Sequence, residues 1–133
     1  MSNEQSYDPI GHIRMLASNF KESYSFYKDI FEALGYNQVS NKENKATWVK
    51  DGYGIMLGQA KINDYQYKYG MPGIHHLCLK AASVDQVDKL YNLALKKEVH
   101  IYEPPKKYPN YTDKYYAVFF GDPDGIKLEV AYY

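Results

Sequence analysis

Two histidines and one glutamate fall within segments whose composition indicates β-strands, and their side chains suit metal coordination. His12 and His76 lie in predicted strands over residues 10–16 and 74–80, and Glu129 lies in the predicted closing strand. Imidazole nitrogens and carboxylate oxygens are common ligands of divalent transition metals. Three protein ligands leave coordination positions open for water or for two oxygens of a substrate, which is typical of a catalytic metal site.

Taken alone, each of these residues has a simpler explanation. Side chains alternate between the two faces of a strand, so Glu129 points away from its apolar neighbours Leu128 and Val130. An unpaired buried carboxylate is costly, but an exposed sheet face or an ion pair with a nearby lysine would satisfy it. Each histidine could equally be half-buried and hydrogen-bonded. The metal site therefore depends on how the rest of the chain arranges the three side chains.

The order of elements indicates an internal duplication of the chain. Each half carries a predicted strand, a helix and three further strands, and aligning His12 with His76 superposes strand on strand and helix on helix. Residues 51–57 likewise lie over residues 124–130. If a pseudo-twofold axis relates the halves, their first strands lie side by side and their last strands flank them. One sheet face then carries His12, His76 and Glu129.

The length of 133 residues suits one compact domain. We predict a disordered lead over residues 1–8 and a single α+β domain over residues 9–133. The domain comprises a module over residues 9–60 and a module over residues 73–133. A polar, tyrosine-rich linker over residues 61–72 joins them.

Capping residues and apolar spacing predict one helix in each module. Ser18 and Asn19 begin the first helix, which ends at Gly35, and Ser83 begins the second. Short strands are predicted in the first module around residues 36–40, 46–50 and 54–57. The second module is predicted to continue with a strand over residues 99–102, a loop through Pro104, Pro105 and Pro109, and a closing hairpin.

Charge and composition exclude several classes of partner. Lysine plus arginine and aspartate plus glutamate both number 16, so the formal net charge is zero and no general field attracts nucleic acid or an anionic membrane. The apolar stretches are too short to span a bilayer. A single cysteine, Cys78, excludes an internal disulfide, and residues 1–6 lack the features of a signal peptide. We therefore expect a cytoplasmic protein that binds neither nucleic acid nor membrane.

Three motifs make the chain resemble the vicinal oxygen chelate superfamily, which includes glyoxalase I, fosfomycin resistance proteins, bleomycin-binding proteins, extradiol dioxygenases and methylmalonyl-CoA epimerase. The motifs are Gly11-His12-Ile13, Gly73-Ile74-His75-His76-Leu77-Cys78-Leu79 and Phe120-Gly121-Asp122-Pro123-Asp124-Gly125-Ile126-Lys127-Leu128-Glu129-Val130. The last is the most specific, because Asp-Pro-Asp-Gly before a strand glutamate is the usual closing motif of that superfamily.

The resemblance implies two tandem βαβββ modules that form a curved mixed sheet around a central cleft. It also implies one divalent metal ion, which could be zinc, nickel, manganese, iron or magnesium. By position, His12, His76 and Glu129 match three metal ligands of the superfamily.

Met56 distinguishes the chain from glyoxalase I. At this position that enzyme places a fourth ligand, a glutamate that also moves the proton, and methionine cannot act as a base. The resemblance therefore disfavours glutathione-dependent chemistry by that route. A set of three ligands is instead typical of two other groups of the superfamily, the fosfomycin resistance enzymes and the extradiol dioxygenases. The fosfomycin enzymes rely on cationic residues beyond the closing strand. The extradiol dioxygenases need a His/Tyr acid–base pair. Candidates for such a pair are His75, His100, Tyr115 and Tyr116, and the catalytic residue stays unassigned.

Strand alternation predicts which side chains surround the metal. Pairing Phe120 with Ile126 would place Ala117 opposite Glu129. The predicted substrate-binding residues on the Glu129 face are Met56, Cys78, Tyr115 and Phe119, with Arg14 and Trp48 as further candidates. An aromatic, mostly apolar wall with few polar groups suits a small organic molecule. The alternative is that the aromatic residues fill a core and that Cys78 is a small buried filler.

The predicted function is a metal-dependent enzyme that acts on a small organic molecule chelated through adjacent oxygens. A lyase or isomerase is the first choice, and an extradiol-type dioxygenase is the next. The alternative is a small-molecule binding protein of the bleomycin-resistance type. We also expect a homodimer, because members of the superfamily pair their modules within a chain or between chains.

Overall fold

A computed structural model of the protein describes residues 10–133, so the predicted disordered lead over residues 1–8 lies outside the described residues. The first half of the chain forms one helix and a four-stranded mixed sheet. Its elements are β1 (His12–Ala17), α1 (Phe20–Ala33), β2 (Asn37–Lys42), β3 (Lys45–Lys50) and β4 (Tyr53–Gln59). The strand order is β1-β4-β3-β2, in which β1 is parallel to β4 and the other neighbours are antiparallel.

The second half repeats this arrangement with a second helix and a second sheet. Its elements are β5 (Leu77–Lys80), α2 (Val84–Lys96), β6 (Ile101–Lys107), β7 (Tyr116–Gly121) and β8 (Lys127–Tyr132). The order is β5-β8-β7-β6, again with the first strand parallel to the last. The α+β prediction of two tandem βαβββ modules is therefore confirmed. The strands form two separate four-stranded sheets, and β1 and β5 are edge strands of different sheets.

The predicted caps begin both helices. The Asn19 side chain accepts a hydrogen bond from the backbone N–H of Glu22 at 3.2 Å, and Ser83 accepts one from Gln86 at 3.1 Å. Each bond satisfies a donor that the first turn of a helix would otherwise leave unpaired. The caps thereby fix where each first strand ends. His12 is the first residue of β1, whereas His76 precedes β5, so the predicted strand over residues 74–80 begins too early and the placement of His76 inside it is wrong.

Buried contacts between the modules join α1 to the loop between β7 and β8. Phe26 of α1 packs edge-on against Phe120 with ring centroids 6.3 Å apart. The Tyr27 hydroxyl donates to Asp122 Oδ2 at 2.6 Å, and both residues are buried. Ser18 and Asp124 make a further hydrogen bond across the same junction. The two modules therefore share one packed interface through this loop.

The Asp-Pro-Asp-Gly loop owes its shape to Asp122. Asp122 Oδ1 accepts the backbone N–H groups of Asp124 and Ile126 at 2.8 and 2.9 Å. Gly125 adopts a φ of 83°, which favours glycine because a Cβ is disfavoured there. The loop ends at Ile126, so β8 begins at Lys127.

This loop changes the predicted pairing of the closing hairpin. Phe120 pairs with Leu128 and not with Ile126, so the predicted register is wrong by two residues. The predicted loop through Pro104 and Pro105 is also wrong, because both prolines lie within β6. Since β6 is an edge strand with irregular pairing, missing N–H donors are tolerated there.

Among residues 10–133, no helix combines the length and apolar character needed to cross a membrane.

Candidate functional site

Glu129 lies in the middle of the second sheet, between a residue of each neighbouring strand. It pairs with Cys78 on β5 and with Phe119 on β7. Directly paired residues share a sheet face, so these three side chains point to the same side. The predicted placement of Ala117 opposite Glu129 is wrong, because Ala117 pairs with Ala131.

Two side chains hold the carboxylate of Glu129. His76 Nε2 lies 3.0 Å from Glu129 Oε1, and the Tyr115 hydroxyl donates to Oε2 at 2.5 Å. Glu129 is only 4 % exposed, so both oxygens need partners to offset the loss of hydration. The structure thus brings together His76 and Glu129, two of the three predicted metal ligands.

Tyr115 acts here as a hydrogen-bond donor. Burial, followed by the hydrogen bond to Glu129, raises the pKa of Tyr115 well above its ordinary value. The hydroxyl therefore keeps its proton at neutral pH and orients the carboxylate.

The Cys78 thiol also stays protonated. Cys78 is exposed, so the alternative that it is a small buried filler is wrong. Partial desolvation by the surrounding protein, together with the negative charge of Glu129, raises the pKa of Cys78 to about 12. The structure places Cys78 beside the carboxylate as a weakly polar group and not as a thiolate nucleophile.

Aromatic rings surround the carboxylate on this sheet face. Tyr115 stacks on Tyr133 with centroids 4.8 Å apart and planes 9° apart, and Phe119 contacts the His76 ring edge-on at 5.7 Å. Tyr108 contacts both Tyr115 and Phe119. These residues form a wall that could bind the apolar part of a small ligand.

His12 and Met56 occupy the corresponding face of the first sheet. Met56 on β4 pairs with Arg14 on β1, just as Glu129 on β8 pairs with Cys78 on β5. His12 precedes Arg14 by two residues, as His76 precedes Cys78. Met56 therefore stands at the position that corresponds to Glu129, as the sequence alignment of the halves indicates.

Within the part of the chain that the structure describes, no group of three or more histidine, cysteine, aspartate or glutamate side chains could hold a metal ion. His12 is exposed on β1 and lines a groove of about 470 Å³ between the two modules, together with Cys78, Lys80 and Tyr133. The chain thus brings His12 to the edge of the second module, apart from the pair of His76 and Glu129.

Trp48, a further candidate for the ligand pocket, lies elsewhere. It pairs with Ile55 and so points to the face opposite Met56, where it is fully buried. Its ring packs against Phe31 at 5.0 Å and Tyr24 at 5.8 Å. Trp48 therefore belongs to the core beneath α1, and its placement beside the metal is wrong.

Two residues beside the site were not assigned from the sequence. His75 Nδ1 lies 2.7 Å from His76 Nδ1, and Tyr69 Oη lies 2.5 Å from His75 Nε2. The doubled histidine is the only local signal of this contact, because Tyr69 comes from the segment between β4 and β5. From the sequence, His75 is one of several acid–base candidates, and Tyr69 lies in the predicted linker.

The chain belongs to the Glyoxalase/Bleomycin resistance protein/Dioxygenase superfamily, whose sequence model matches residues 9–130. This match covers both modules and all three predicted metal ligands, so the sequence resemblance is confirmed at the level of the superfamily.

Individual relatives agree with this assignment. The chain is 29 % identical over 121 residues to the uncharacterized protein YqjT of Bacillus subtilis, covering 90 % of this chain and 94 % of that protein. A glyoxalase/bleomycin resistance protein from Albidiferax ferrireducens superposes with a TM-score of 0.76 at 20 % identity, covering 95 % and 99 % of the two chains. A lactoylglutathione lyase from Agrobacterium tumefaciens superposes with a TM-score of 0.65 at 21 % identity, covering 96 % of each chain. At these identities the structural likenesses show the fold alone.

Proposed function

We propose that the protein is a metal-dependent lyase or isomerase that acts on a small organic molecule bound through two adjacent oxygens. The observation that carries this proposal is the contact between His76 and the buried carboxylate of Glu129. A buried carboxylate beside an imidazole nitrogen is a donor pair that suits a divalent cation.

His76 and Glu129 fit such an ion in chemistry, and a third ligand would complete their number. His76 Nε2 and Glu129 Oε1 are neighbours on one sheet face, and the Tyr115 hydroxyl fixes the other carboxylate oxygen. Together with an imidazole from His12, they would hold zinc, nickel, manganese, iron or magnesium and leave open positions. When bound, the ion would stabilise negative charge on substrate oxygens.

A homodimer would complete the ligand set. His76 and Glu129 of one subunit would be joined by His12 of the partner subunit, because a single chain keeps its own His12 apart from them. Exposed apolar side chains occupy the segment between β4 and β5 and offer a surface for a second copy. These side chains are Ile62, Tyr65, Met71 and Ile74.

The remaining residues of the site would bind and orient the substrate. Phe119 and Tyr133 provide apolar surface beside the carboxylate, and Lys80 Nζ lies 4.3 Å from the centroid of the Tyr133 ring. A cation at this edge would favour a substrate with a negatively charged or electron-rich group. Met56 supplies no base, which argues against the glutathione-dependent glyoxalase route. The single cysteine agrees with action in the cytoplasm.

The second candidate is a binding protein of the bleomycin-resistance type. The aromatic wall favours it, because stacked rings can hold a planar ligand without chemistry. The hydrogen bonds of Glu129 to His76 and Tyr115 would then be purely structural.

Metal content separates the two candidates. We expect protein purified without a chelating column to contain about one divalent ion per chain, measured by inductively coupled plasma mass spectrometry. Glu129→Gln should lose this ion because it removes an anionic ligand, whereas Glu103→Gln should retain it. Glu103 is a suitable control because it only pairs with Lys106 near the surface, at 3.1 Å. A metal-free protein that resists reloading, or Glu129→Gln with full metal content, would contradict the enzyme proposal.

A further inference from the structure

A continuous hydrogen-bonded chain extends from Glu129 to the segment between β4 and β5. The distances are 3.0 Å from Glu129 Oε1 to His76 Nε2, 2.7 Å between the Nδ1 atoms of His76 and His75, and 2.5 Å from His75 Nε2 to Tyr69 Oη. Both ring nitrogens of both histidines are therefore engaged. Such a chain fixes the rotation of the His76 ring as well as its distance from Glu129.

Tyr69 is itself anchored to the second module. Lys127 Nζ lies 4.8 Å from the centroid of the Tyr69 ring and 3.4 Å from its hydroxyl oxygen. The Tyr69 ring also contacts Tyr102 at 5.2 Å, and the Tyr102 hydroxyl donates to the carbonyl of Gly125 at 2.8 Å. Tyr69, at the outer end of this hydrogen-bonded chain, thus contacts β6 and β8, although it lies outside any helix or strand.

The contact between the two Nδ1 atoms couples the tautomers of the two histidines. A neutral imidazole carries one N–H, so a hydrogen bond between these nitrogens requires one of them to donate and the other to accept. Without a bound cation, His76 donates from Nε2 to Glu129, His75 donates from Nδ1 to His76, and Tyr69 donates to His75.

Coordination through His76 Nε2 requires the opposite direction. The proton of His76 must then lie on Nδ1, so His75 accepts at Nδ1 and donates from Nε2 to the Tyr69 oxygen. A tyrosine hydroxyl can both donate and accept, which allows Tyr69 to serve either direction. Both arrangements keep the two histidines neutral.

We propose that His75 and Tyr69 are positioning residues for metal binding: they hold the orientation of the His76 ring, and His75 accepts the Nδ1 proton of His76 when Nε2 binds the ion. This inference rests on the proposed function, because it assigns the two residues to the same metal site. The general expectation is that partners which orient a metal-binding histidine change metal affinity by ten- to a hundredfold.

The test combines metal affinity with a direct reading of the tautomer. Cobalt(II) binding to His75→Phe and Tyr69→Phe would be measured by competition titration, together with the visible spectrum of the bound ion. The ¹⁵N chemical shifts of the His76 ring would be recorded with and without zinc. The matched controls are Tyr91→Phe, at a tyrosine of α2, and His100→Phe, at a histidine outside this hydrogen-bonded chain.

The expected result is at least a tenfold loss of cobalt affinity for His75→Phe, a smaller loss for Tyr69→Phe and less than a twofold change for both controls. His76 of the metal-free wild type should carry its proton on Nε2, because Glu129 accepts there. The ¹⁵N shift of His76 Nδ1 should change in His75→Phe, because that nitrogen loses its hydrogen-bond partner. A general loss of folding would not produce this pattern, since Tyr69→Phe removes a single oxygen atom.

Equal cobalt affinity and an unchanged ¹⁵N shift of His76 Nδ1 in His75→Phe would overturn the inference. If the wild type binds neither cobalt nor zinc, the proposed function fails instead. In that case the ¹⁵N spectra of the metal-free proteins would still decide whether His75 is hydrogen-bonded to Nδ1 of His76.

Discussion

The contact between Tyr27 and Asp122 should contribute measurably to stability because it crosses the module interface. The Tyr27 hydroxyl donates to Asp122 at 2.6 Å, and the two residues are 0 % and 5 % exposed. Hydrogen bonds to charged groups contribute about 1.5–3 kcal/mol, so Tyr27→Phe should lower the free energy of unfolding by roughly 2 kcal/mol at pH 8. Asp122 would retain the backbone donors of Asp124 and Ile126.

The effect of Tyr27→Phe should depend on pH. Burial raises the pKa of Asp122 to about 6, although the hydrogen bond from Tyr27 favours the carboxylate and opposes this rise. Removing the hydroxyl therefore raises the pKa of Asp122 further, and the folded variant holds its proton to higher pH than the wild type. By linkage, the stability advantage of the wild type grows as pH increases through 6 and shrinks below it.

Asp122→Asn tests the same carboxyl group, because the asparagine side chain does not titrate. Because the pKa of Asp122 is about 6 in the folded protein against 3.8 in a model peptide, this group makes the wild type less stable as pH rises from about 4 to about 6. A shift of this size corresponds to roughly 3 kcal/mol, taken as an order of magnitude. The difference in stability between wild type and Asp122→Asn should change with pH in that window.

The assay is urea unfolding at fixed protein concentration, followed by fluorescence of Trp48, the single tryptophan. Tyr24→Phe is the matched control, because its hydroxyl bonds only to the neutral side chains of Gln38 and Asn41. It should cost less than Tyr27→Phe and show no dependence on pH near 6. Equal, pH-independent losses in both variants would refute the assignment of a charge-assisted bond at the interface.

Two further predictions concern the site. Because the pKa of Cys78 is about 12, its alkylation by iodoacetamide at pH 8.5 should be at least tenfold slower than that of a model thiol. Glu129→Gln should speed the alkylation, because it removes the negative charge that helps to raise this pKa. Equal alkylation rates in wild type and variant would contradict the role of Glu129. Coexpressed His12→Ala and Glu129→Gln chains should together bind about a quarter of an ion per chain, although each alone binds none, because random pairing makes half of the dimers mixed and each mixed dimer contains one intact ligand set. A complete absence of metal in the mixed dimer would indicate a site built within a single chain.

Strand parity was predictable from the sequence, but strand register was not. Tyr115, Phe119 and Cys78 lie around Glu129 as predicted, because a shift of two residues leaves every side chain on the same face. The register depends on the loop, where Asp122 accepts a hydrogen bond from the N–H of Ile126, so that β8 begins only at Lys127. The alternation of side chains in the flanking strands does not indicate such a hydrogen bond.

Other errors came from tertiary position, which the local sequence does not carry. Pro104 and Pro105 indicate a loop by composition, yet an edge strand accepts both because its outer groups face no partner strand. Trp48 lies in a strand bounded by Lys45 and Lys50, and only packing beneath α1 selects its buried face. Tyr69 contacts His75 from a segment without periodicity, so no sequence pattern indicates that the two residues meet.

The repeat explains why one module carries more of the predicted site than the other. The pair of Arg14 and Met56 in the first sheet corresponds to the pair of Cys78 and Glu129 in the second. With methionine in place of the first carboxylate, the first module keeps only His12 as a possible ligand, and the second keeps both His76 and Glu129. A ligand set divided in this way can form only where two modules meet with these faces together. Since β1 and β5 belong to separate sheets within the chain, we propose that assembly of two subunits unites the two parts.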